Sequence, residues 1–268
     1  MQGKLTIVRP LLTLGRRQAR TDTKECATVT ETHTRAARLG SLEEQRTAVR
    51  PGRKVQVALD TKNIFDALAA ARQVGQHIDI IEIGTVLCLA EGMRAVREMR
   101  ACYPDHLLLA DIRVAEAGSI LSRLAFEAGA DLVSVVSGAA PESFAAVVDV
   151  AAEFGGDVQV ELSDGWTWAL VEKCRDLGIR HFILHRSRDA EARGELSWSA
   201  DDLASISRIH ELGGRVSVTG GMSVSEVPHF AAYPVEIFIA GRALYDSADP
   251  AASAWDFRAA VANLPSLK

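Results

Sequence analysis

Four carboxylates and one histidine stand at the carboxyl ends of short apolar segments: Asp60, Glu82, Asp111, Glu161 and His185. If the segments are parallel strands, these side chains converge on one edge of the sheet. Converging carboxylates raise one another's pKa values unless a cation or hydrogen-bond donors compensate, and Mg²⁺ is the simplest such cation. A single acid could instead cap the helix that follows it. Four acids with a histidine favour one shared reaction site.

Two glycine turns follow the last two apolar segments, at Thr219-Gly220-Gly221 and Ala240-Gly241-Arg242. Small residues let backbone N–H groups approach a phosphate, and Arg242 adds a charge-assisted donor. Phosphate sites of eight-stranded barrels commonly lie after the last two strands. The turns could serve chain geometry alone, but their position favours a phosphate-binding site.

The elements that must position these residues repeat along the chain from residue 55. Short runs rich in Val, Ile and Leu alternate with amphipathic segments, which is typical of buried parallel strands covered by helices. The runs span 55–59, 78–83, 106–110, 132–136, 158–160, 181–184, 216–218 and 235–240. The helical segments span 65–74, 93–102, 120–128, 144–154, 168–177, 203–212 and 252–264.

Two features of the helical segments are specific predictions. Pro141 and Pro250 precede the fourth and the last segment and suit the first turn of a helix. In segment 65–74, the spacing places Phe65, Leu68 and Ala69 on one apolar face.

Eight strands with their helices fit within about 215 residues, which suits a closed (β/α)₈ barrel. An open doubly wound sheet is the competitor, but it would place a glycine-rich turn after the first strand. The glycine turns of this chain come late. We therefore predict an α/β protein with a single (β/α)₈ barrel over residues 55–268 and an N-terminal extension over residues 1–54.

The extension is basic, with twelve Lys and Arg against five Asp and Glu, whereas the whole chain carries a net charge of −5. No aromatic residue is interleaved with its basic ones, so nucleic-acid binding is not favoured. A solvated arm and an arm packed on a partner subunit both remain open. Its apolar run, residues 11–14, is too short for a signal peptide.

The overall composition, with 48% hydrophobic and 24% charged residues, is typical of a soluble globular protein. No segment has the ~18 uncharged apolar residues that a membrane span needs. Cys26, Cys88, Cys102 and Cys174 form no C-x-x-C pair, which is typical of thiols in a reducing compartment. We expect a cytoplasmic protein.

Several segments resemble a known family over residues 55–257. They are VQVALD (55–60), DIIEIGT (79–85), EGMRAVR (91–97), GDVQVEL (156–162), WTW (166–168) and HRSRDA (185–190), together with the two glycine turns. The family is that of the 3-keto-L-gulonate-6-phosphate decarboxylases, within the orotidine-phosphate decarboxylase suprafamily, which includes hexulose-6-phosphate synthase. HRSRDA is particular to the keto-gulonate branch.

The resemblance implies a homodimer that uses Mg²⁺ to decarboxylate a phosphorylated keto-sugar acid through a cis-enediolate, giving a pentulose 5-phosphate. It also implies the roles of individual residues. Glu82 and Asp111 would bind the metal, Asp60 and Glu161 would contact the substrate, His185 and Arg188 would place or deliver a proton through water, and Thr219, Gly221, Gly241 and Arg242 would hold the phosphate.

The chain departs from the suprafamily signature Asp-x-Lys-x-x-Asp, since it has Asp111, Arg113 and Glu116 at these three positions. In the family the lysine stabilises the enediolate, and the second aspartate comes from the partner subunit. Both substitutions keep the sign of the charge, but arginine is a planar fork where lysine is a compact ammonium. The pair could be compensating, with Arg113 and Glu116 forming an ion pair across the dimer.

The departure leaves other functions open. Related enediolate chemistry would serve an aldol reaction of the hexulose-phosphate synthase type, an epimerisation or an elimination. A barrel that binds a phosphosugar without converting it is the non-enzymatic alternative.

Overall fold

The structure is a computed structural model that describes residues 52–163, 165–186 and 198–267, all of which belong to one compact unit of the chain. Residues 1–51 and Arg188 lie outside the described residues. The predictions made for the basic extension and for Arg188 therefore stay predictions.

Eight parallel strands form a closed barrel in which each strand pairs with its neighbours in sequence and β8 pairs with β1. The predicted (β/α)₈ barrel is thus confirmed. The strands are β1 Lys54–Leu59, β2 Ile80–Ile83, β3 Leu107–Val114, β4 Leu132–Val136, β5 Asp157–Leu162, β6 His181–His185, β7 Arg215–Thr219 and β8 Val235–Ala240.

Nine α-helices lie within the described residues and cover the barrel. They are α1 Ile64–Val74, α2 Thr85–Glu91, α3 Met93–Cys102, α4 Gly118–Glu127, α5 Pro141–Phe154, α6 Trp168–Asp176, α7 Ala200–Glu211, α8 Arg242–Tyr245 and α9 Pro250–Ala262. Pro141 and Pro250 each occupy the first turn of a helix, as predicted. Helices α2 and α8 are additional to the predicted set. Among these helices, none is long and apolar enough to cross a membrane.

Strand β3 continues four residues beyond the predicted run 106–110. Asp111 and Arg113 therefore lie within the strand and not in a turn after it. The pairing with β4 shifts register between Ala110 and Val114, and Arg113 adopts a φ of 46°, in the left-handed region. Asp111 and Arg113 interrupt the run of hydrophobic residues in the sequence, but the backbone of β3 continues through them to Val114.

The prediction of the apolar face of α1 is wrong for Phe65 and Ala69, which are exposed, whereas Leu68 packs against the core as predicted. The buried residues of this helix are Ile64, Ala67, Ala70, Ala71 and Val74, whereas the Phe65 side chain is 73% exposed. The small alanines let the helix approach the barrel closely, so they form the packed face although they contribute little to the hydrophobic pattern.

Arg100 binds the segments before β3 and β4 at the amino end of the barrel. Its Nε donates to Gly129 O at 2.9 Å, its Nη1 donates to Tyr103 O and His106 O at 3.0 and 2.7 Å, and its Nη2 pairs with the Asp131 carboxylate. These bonds join the end of α3 to the starts of β3 and β4. These partly buried polar contacts thus hold the amino end of the barrel, away from the acidic cavity.

Candidate active site at the carboxyl end of the barrel

Three of the four predicted acids and the histidine meet in one cavity at the carboxyl end of the barrel. Glu82, Asp111, Glu161, His185 and Thr219 line it, from strands β2, β3, β5, β6 and β7. None of these acids is the N-cap of the helix that follows its strand, since those caps are Gly84, Ala117 and Thr167. Glu82, Asp111 and Glu161 therefore line the cavity and do not cap the helices that follow their strands.

Asp111 is held by hydroxyl donors on both of its oxygens. Ser134 Oγ donates to Asp111 Oδ1 at 2.6 Å, and Thr85 Oγ1 donates to Oδ2. Hydroxyl donors stabilise the charged form of a carboxylate and fix its orientation. The two donors thus hold the Asp111 carboxyl group in a fixed orientation.

Glu82 is buried beside other negative charges. Burial raises the pKa of this carboxyl well above its usual range, the nearby Asp111 carboxylate raises it further, and a hydrogen bond from Gln56 opposes the shift. Gln56 Nε2 donates to Glu82 Oε2 at 2.6 Å. A cation placed between Glu82 and Asp111 would relieve this repulsion.

The donor set of this pair suits a hard divalent cation. Within the described part of the chain, no group of three or more His, Cys, Asp or Glu residues could hold a metal ion. Mg²⁺ is commonly bound through one or two carboxylates, with waters and substrate oxygens completing its shell. Glu82 and Asp111 fit that mode of binding, in which the protein supplies only two ligands.

Arg113 reaches across the cavity. Its Nη2 lies 2.9 Å from Glu161 Oε1 and 2.8 Å from Oε2, and its Nε lies 3.6 Å from Asp111 Oδ2. The backbone N–H of Arg113 donates to Ser134 Oγ at 2.9 Å. The left-handed backbone at Arg113 thus directs the guanidinium between two acids, with 36% of the side chain exposed.

His185 lies on the far side of Glu161. Its Nδ1 is 3.6 Å from Glu161 Oε1, the oxygen that also accepts from Arg113. Arg113, Glu161 and His185 therefore form a continuous series of ionisable groups along the cavity wall. Arg188, which the sequence predicts beside His185, lies outside the described residues.

Asp60 follows β1 directly at the same end of the barrel. Its Oδ1 accepts from Val86 N at 3.4 Å, at the start of α2. A Cβ on Gly84 would lie 2.5 Å from this oxygen, so the glycine leaves room for the carboxylate. Asp60 also contributes to the raised pKa of Glu82.

Glu116 is separate from this cluster. Its side chain is exposed, and within the described residues it makes no hydrogen bond or ion pair. The structure therefore does not bring Glu116 and Arg113 together within one chain. Nearby on α4, the apolar side chains of Ile120 and Leu124 are 64% and 49% exposed.

The glycine turn after β7 has the conformation that only glycine adopts without strain. Gly220 and Gly221 have φ values of 99° and 65°. A Cβ on Gly220 would lie 2.4 Å from Arg186 O. Thr219 ends β7 and lines the cavity, so the turn opens beside the acidic cluster.

The second predicted turn follows β8. Gly241 precedes α8, and a Cβ there would lie 3.1 Å from Ala58 O. Arg242 is the exposed first residue of α8. Both turns thus stand at the carboxyl end of the barrel, after adjacent strands.

Several residues of the site are not obvious from the chemistry of the motifs. Gln56 and Ser134 are polar positions within apolar strands, which could have indicated both, and Gln56 also belongs to the VQVALD segment. Thr85 belongs to the DIIEIGT segment, whereas Glu226, whose carboxylate pairs with Arg186, carries no signal in the sequence. Arg186 belongs to the HRSRDA segment, but its contact with the glycine turn depends on a distance between two strands.

Comparisons with known proteins give a family match and several relatives. The model of the orotidine 5′-phosphate decarboxylase / HUMPS family matches residues 53–257. The 3-keto-L-gulonate-6-phosphate decarboxylase UlaD of Escherichia coli is 45% identical over 210 residues, which cover 78% of this chain and 97% of the relative.

Solved structures of similar proteins also superpose on this chain. A Streptococcus mutans protein named KGPDC, solved in complex with a sugar phosphate, superposes with a TM-score of 0.77 at 35% identity and covers 79% of this chain and 98% of its own. The 3-hexulose-6-phosphate synthase of Salmonella typhimurium superposes with a TM-score of 0.74 at 29% identity, covering 79% and 100%.

Proposed function

The chain belongs to the orotidine 5′-phosphate decarboxylase / HUMPS family, and from this membership we propose that it decarboxylates a phosphorylated keto-sugar acid such as 3-keto-L-gulonate 6-phosphate. The observation that carries the proposal is the Asp111–Arg113–Glu161–His185 series in one cavity beside the glycine turn. It places charged groups suited to proton transfer and anion stabilisation within reach of one small molecule.

In this proposal the phosphate is the handle of the substrate. Thr219, Gly220 and Gly221 on one turn, with Gly241 and Arg242 on the other, would bind it through backbone N–H groups and the guanidinium. The opposite end of the sugar would then extend toward Glu82 and Asp111. Phosphate contacts that do not change during the reaction serve to orient the reacting carbon.

Decarboxylation breaks the bond between the carboxylate carbon and its neighbour. CO₂ leaves, and the electron pair remains as a cis-enediolate whose negative charge requires cationic neighbours. Mg²⁺, held by Glu82 and Asp111, would supply such a charge when bound. Arg113 would supply a second, from the position of the family lysine, and Asp60 would orient the substrate hydroxyl groups beside it.

A proton must then reach the carbon that lost CO₂. His185 is a suitable source because the ordinary pKa of histidine lies near neutrality. Glu161 would hold its imidazole and would keep Arg113 in place on the other side. Arg188 would assist by orienting a water molecule. Proton delivery to the enediolate completes the pentulose 5-phosphate.

We also propose a homodimer in which Glu116 of one subunit completes the site of the other. Two features support it. Glu116 is exposed and makes no hydrogen bond or ion pair within the described part of its own chain. Ile120 and Leu124 form an exposed apolar strip on the next helix.

A cytoplasmic location also belongs to the proposal, because a charged sugar phosphate does not cross hydrocarbon unaided.

The direct test is incubation of the protein with 3-keto-L-gulonate 6-phosphate and Mg²⁺, with CO₂ and pentulose phosphate as the measured products. Activity should disappear in EDTA, return with Mg²⁺, and be lost in the Asp111→Asn variant. If neither the wild type nor the Arg113→Lys/Glu116→Asp double variant releases CO₂, the decarboxylase proposal is wrong.

A second candidate is an aldol reaction of the hexulose-phosphate synthase type, favoured by the superposition on the Salmonella typhimurium protein of that name. It predicts formation of a hexulose phosphate from formaldehyde and ribulose 5-phosphate. Phosphosugar binding without any product would instead support a non-catalytic barrel.

A further inference from the structure

We propose that Arg186 is a positioning residue, which shapes the glycine turn after β7 into an anion-binding site without contacting the phosphate itself. The inference deepens the proposed function and depends on its phosphate site. Arg186 directly follows β6, the strand that pairs with β7. It is buried, with 7% of its surface exposed.

Arg186 binds the turn through both backbone and side chain. Its N–H donates to Thr219 O at 3.1 Å, and its Nε and Nη2 donate to Gly220 O at 2.8 and 2.5 Å. Two successive carbonyl groups of the turn are therefore directed toward the same residue. Hydrogen bonds from a charged donor are stronger than neutral ones, so the guanidinium fixes the second carbonyl firmly.

The directions of these carbonyls determine the directions of the next two N–H groups. In a trans peptide unit, C=O and N–H point in opposite directions, and the chain has no cis bond among the described residues. The N–H groups of Gly220 and Gly221 must therefore point away from Arg186. Within the described residues neither N–H has a hydrogen-bond acceptor. Successive N–H groups oriented together form a concave anion site.

The guanidinium is itself held in place. Its Nη1 and Nη2 donate to the two oxygens of Glu226 at 2.6 and 3.0 Å, and it stacks on the Trp198 ring, 5.1 Å from the centroid. Glu226 neutralises its charge, so Arg186 acts through the turn and not as a phosphate ligand. The Gly220 position fits the same interpretation, because a side chain there would collide with Arg186 O.

The test compares Arg186→Met with Arg100→Met. Arg100 is a matched control, because it is a largely buried arginine that also donates to backbone carbonyls and pairs with a carboxylate, but at the opposite end of the barrel. The measured quantities are the Kd of inorganic phosphate, from calorimetry, and the KM and kcat for the phosphorylated substrate. Each is measured well below the Tm of the variant.

For Arg186→Met we expect Kd and KM to rise about tenfold or more, by similar factors, with a smaller change in kcat. Arg186→Lys, which cannot bind Gly220 O and Glu226 together, should fall between it and the wild type. Arg100→Met should lower Tm yet leave the phosphate Kd within about twofold, since it has no contact with the turn.

An unchanged phosphate Kd in Arg186→Met would overturn the inference, as would a wild type that binds no phosphate. If Arg186→Met does not fold, the Arg186→Lys and Glu226→Gln variants decide the question through the same Kd. A wild type that binds phosphate but releases no CO₂ would refute the proposed reaction, while the phosphate titrations would still decide the role of Arg186.

Discussion

Arg113 stands where the family signature has lysine, and its contacts explain how an arginine is accommodated. The shift of register in β3 and the left-handed backbone direct its fork to Glu161, with its Nε toward Asp111. A lysine ammonium is a single point of charge and cannot bind both acids in the same way. The surrounding residues thus suit the guanidinium.

We therefore expect Arg113→Lys alone to lower kcat by about 10- to 100-fold with little change in KM, since small displacements of a catalytic group are costly. Arg113→Met, which removes the charge, should lower kcat further. Steady-state kinetics with the phosphorylated substrate measures both. Wild-type kcat in the methionine variant would show that Arg113 has no part in the reaction.

Glu82 gives a prediction about stability. Its pKa in the folded chain is raised by burial and by Asp111, so the folded chain binds a proton at this site more tightly than the unfolded chain. The stability present below the ordinary pKa is then lost as the pH rises through the folded pKa. In EDTA, Glu82→Gln should therefore be more stable than wild type at pH 8.

Each kcal/mol of relieved repulsion should raise Tm by about 2–4 °C for a domain of this size. The difference between Glu82→Gln and wild type should shrink toward pH 4. Thermal unfolding curves across this range provide the measurement. Parallel curves for the two proteins would mean that Glu82 has no raised pKa.

At the scale of the elements, the turn after β7 allows a controlled substitution. Gly220→Ala adds a Cβ that would lie 2.4 Å from Arg186 O, at a φ of 99°. Gly178 has a similar φ of 91°, but nothing lies within 4 Å of the added Cβ. Both alanine variants share the backbone strain, of order 1–3 kcal/mol, whereas only Gly220→Ala disturbs the turn.

We expect both alanine variants to lose several degrees of Tm, with the larger loss in Gly220→Ala. Only Gly220→Ala should raise the KM for the phosphorylated substrate, by about tenfold or more. Calorimetry and kinetics on the same samples separate the two effects. Equal KM values in the two variants would contradict a phosphate site at this turn.

The elements also show what the sequence can and cannot predict. Strands β4 and β8 have the predicted bounds, because both faces of these strands are buried and their hydrophobic runs coincide with their ladders. β3 is longer than predicted because Asp111 and Arg113, which line the cavity, interrupt the apolar run although the strand continues to Val114. The convergence of the carboxylates was predictable from strand order. The contacts of Ser134 and Arg186 were not, because they depend on distances across strands.

At the scale of the whole molecule, the exposed strip on α4 should be the subunit interface. Leu124→Lys places a charge on that strip, where Ile120 is one turn away, and should convert a dimer to monomers. Activity should fall with it, because Glu116 would no longer reach the partner site. Sedimentation and kinetics at several protein concentrations measure both effects.

Trp255→Lys is the control for this substitution. Trp255 is 60% exposed on α9, a helix that packs against β1 and α1, so its replacement should leave both the oligomeric state and the activity unchanged. A dimer that survives Leu124→Lys would place the interface elsewhere, and a monomeric wild type would refute the dimer.

The extension over residues 1–54 remains a prediction, and the family match begins only at residue 53. Because the matched relative is covered over 97% of its own length without needing such a segment, we expect deletion of residues 1–50 to leave kcat/KM within about twofold. A larger loss would assign the extension a part in catalysis or assembly.

Arg100 and its partners connect α3, β3 and β4 at the end of the barrel opposite the acidic cavity. Substitutions around the cavity therefore alter chemistry without loosening these anchors, and distant sites contribute nearly additively to stability. Arginine can then replace lysine at position 113, and glutamate can replace aspartate at position 116, while the barrel stays folded. Substitutions at the carboxyl end can therefore change the substrate, because the contacts at the amino end keep the barrel folded.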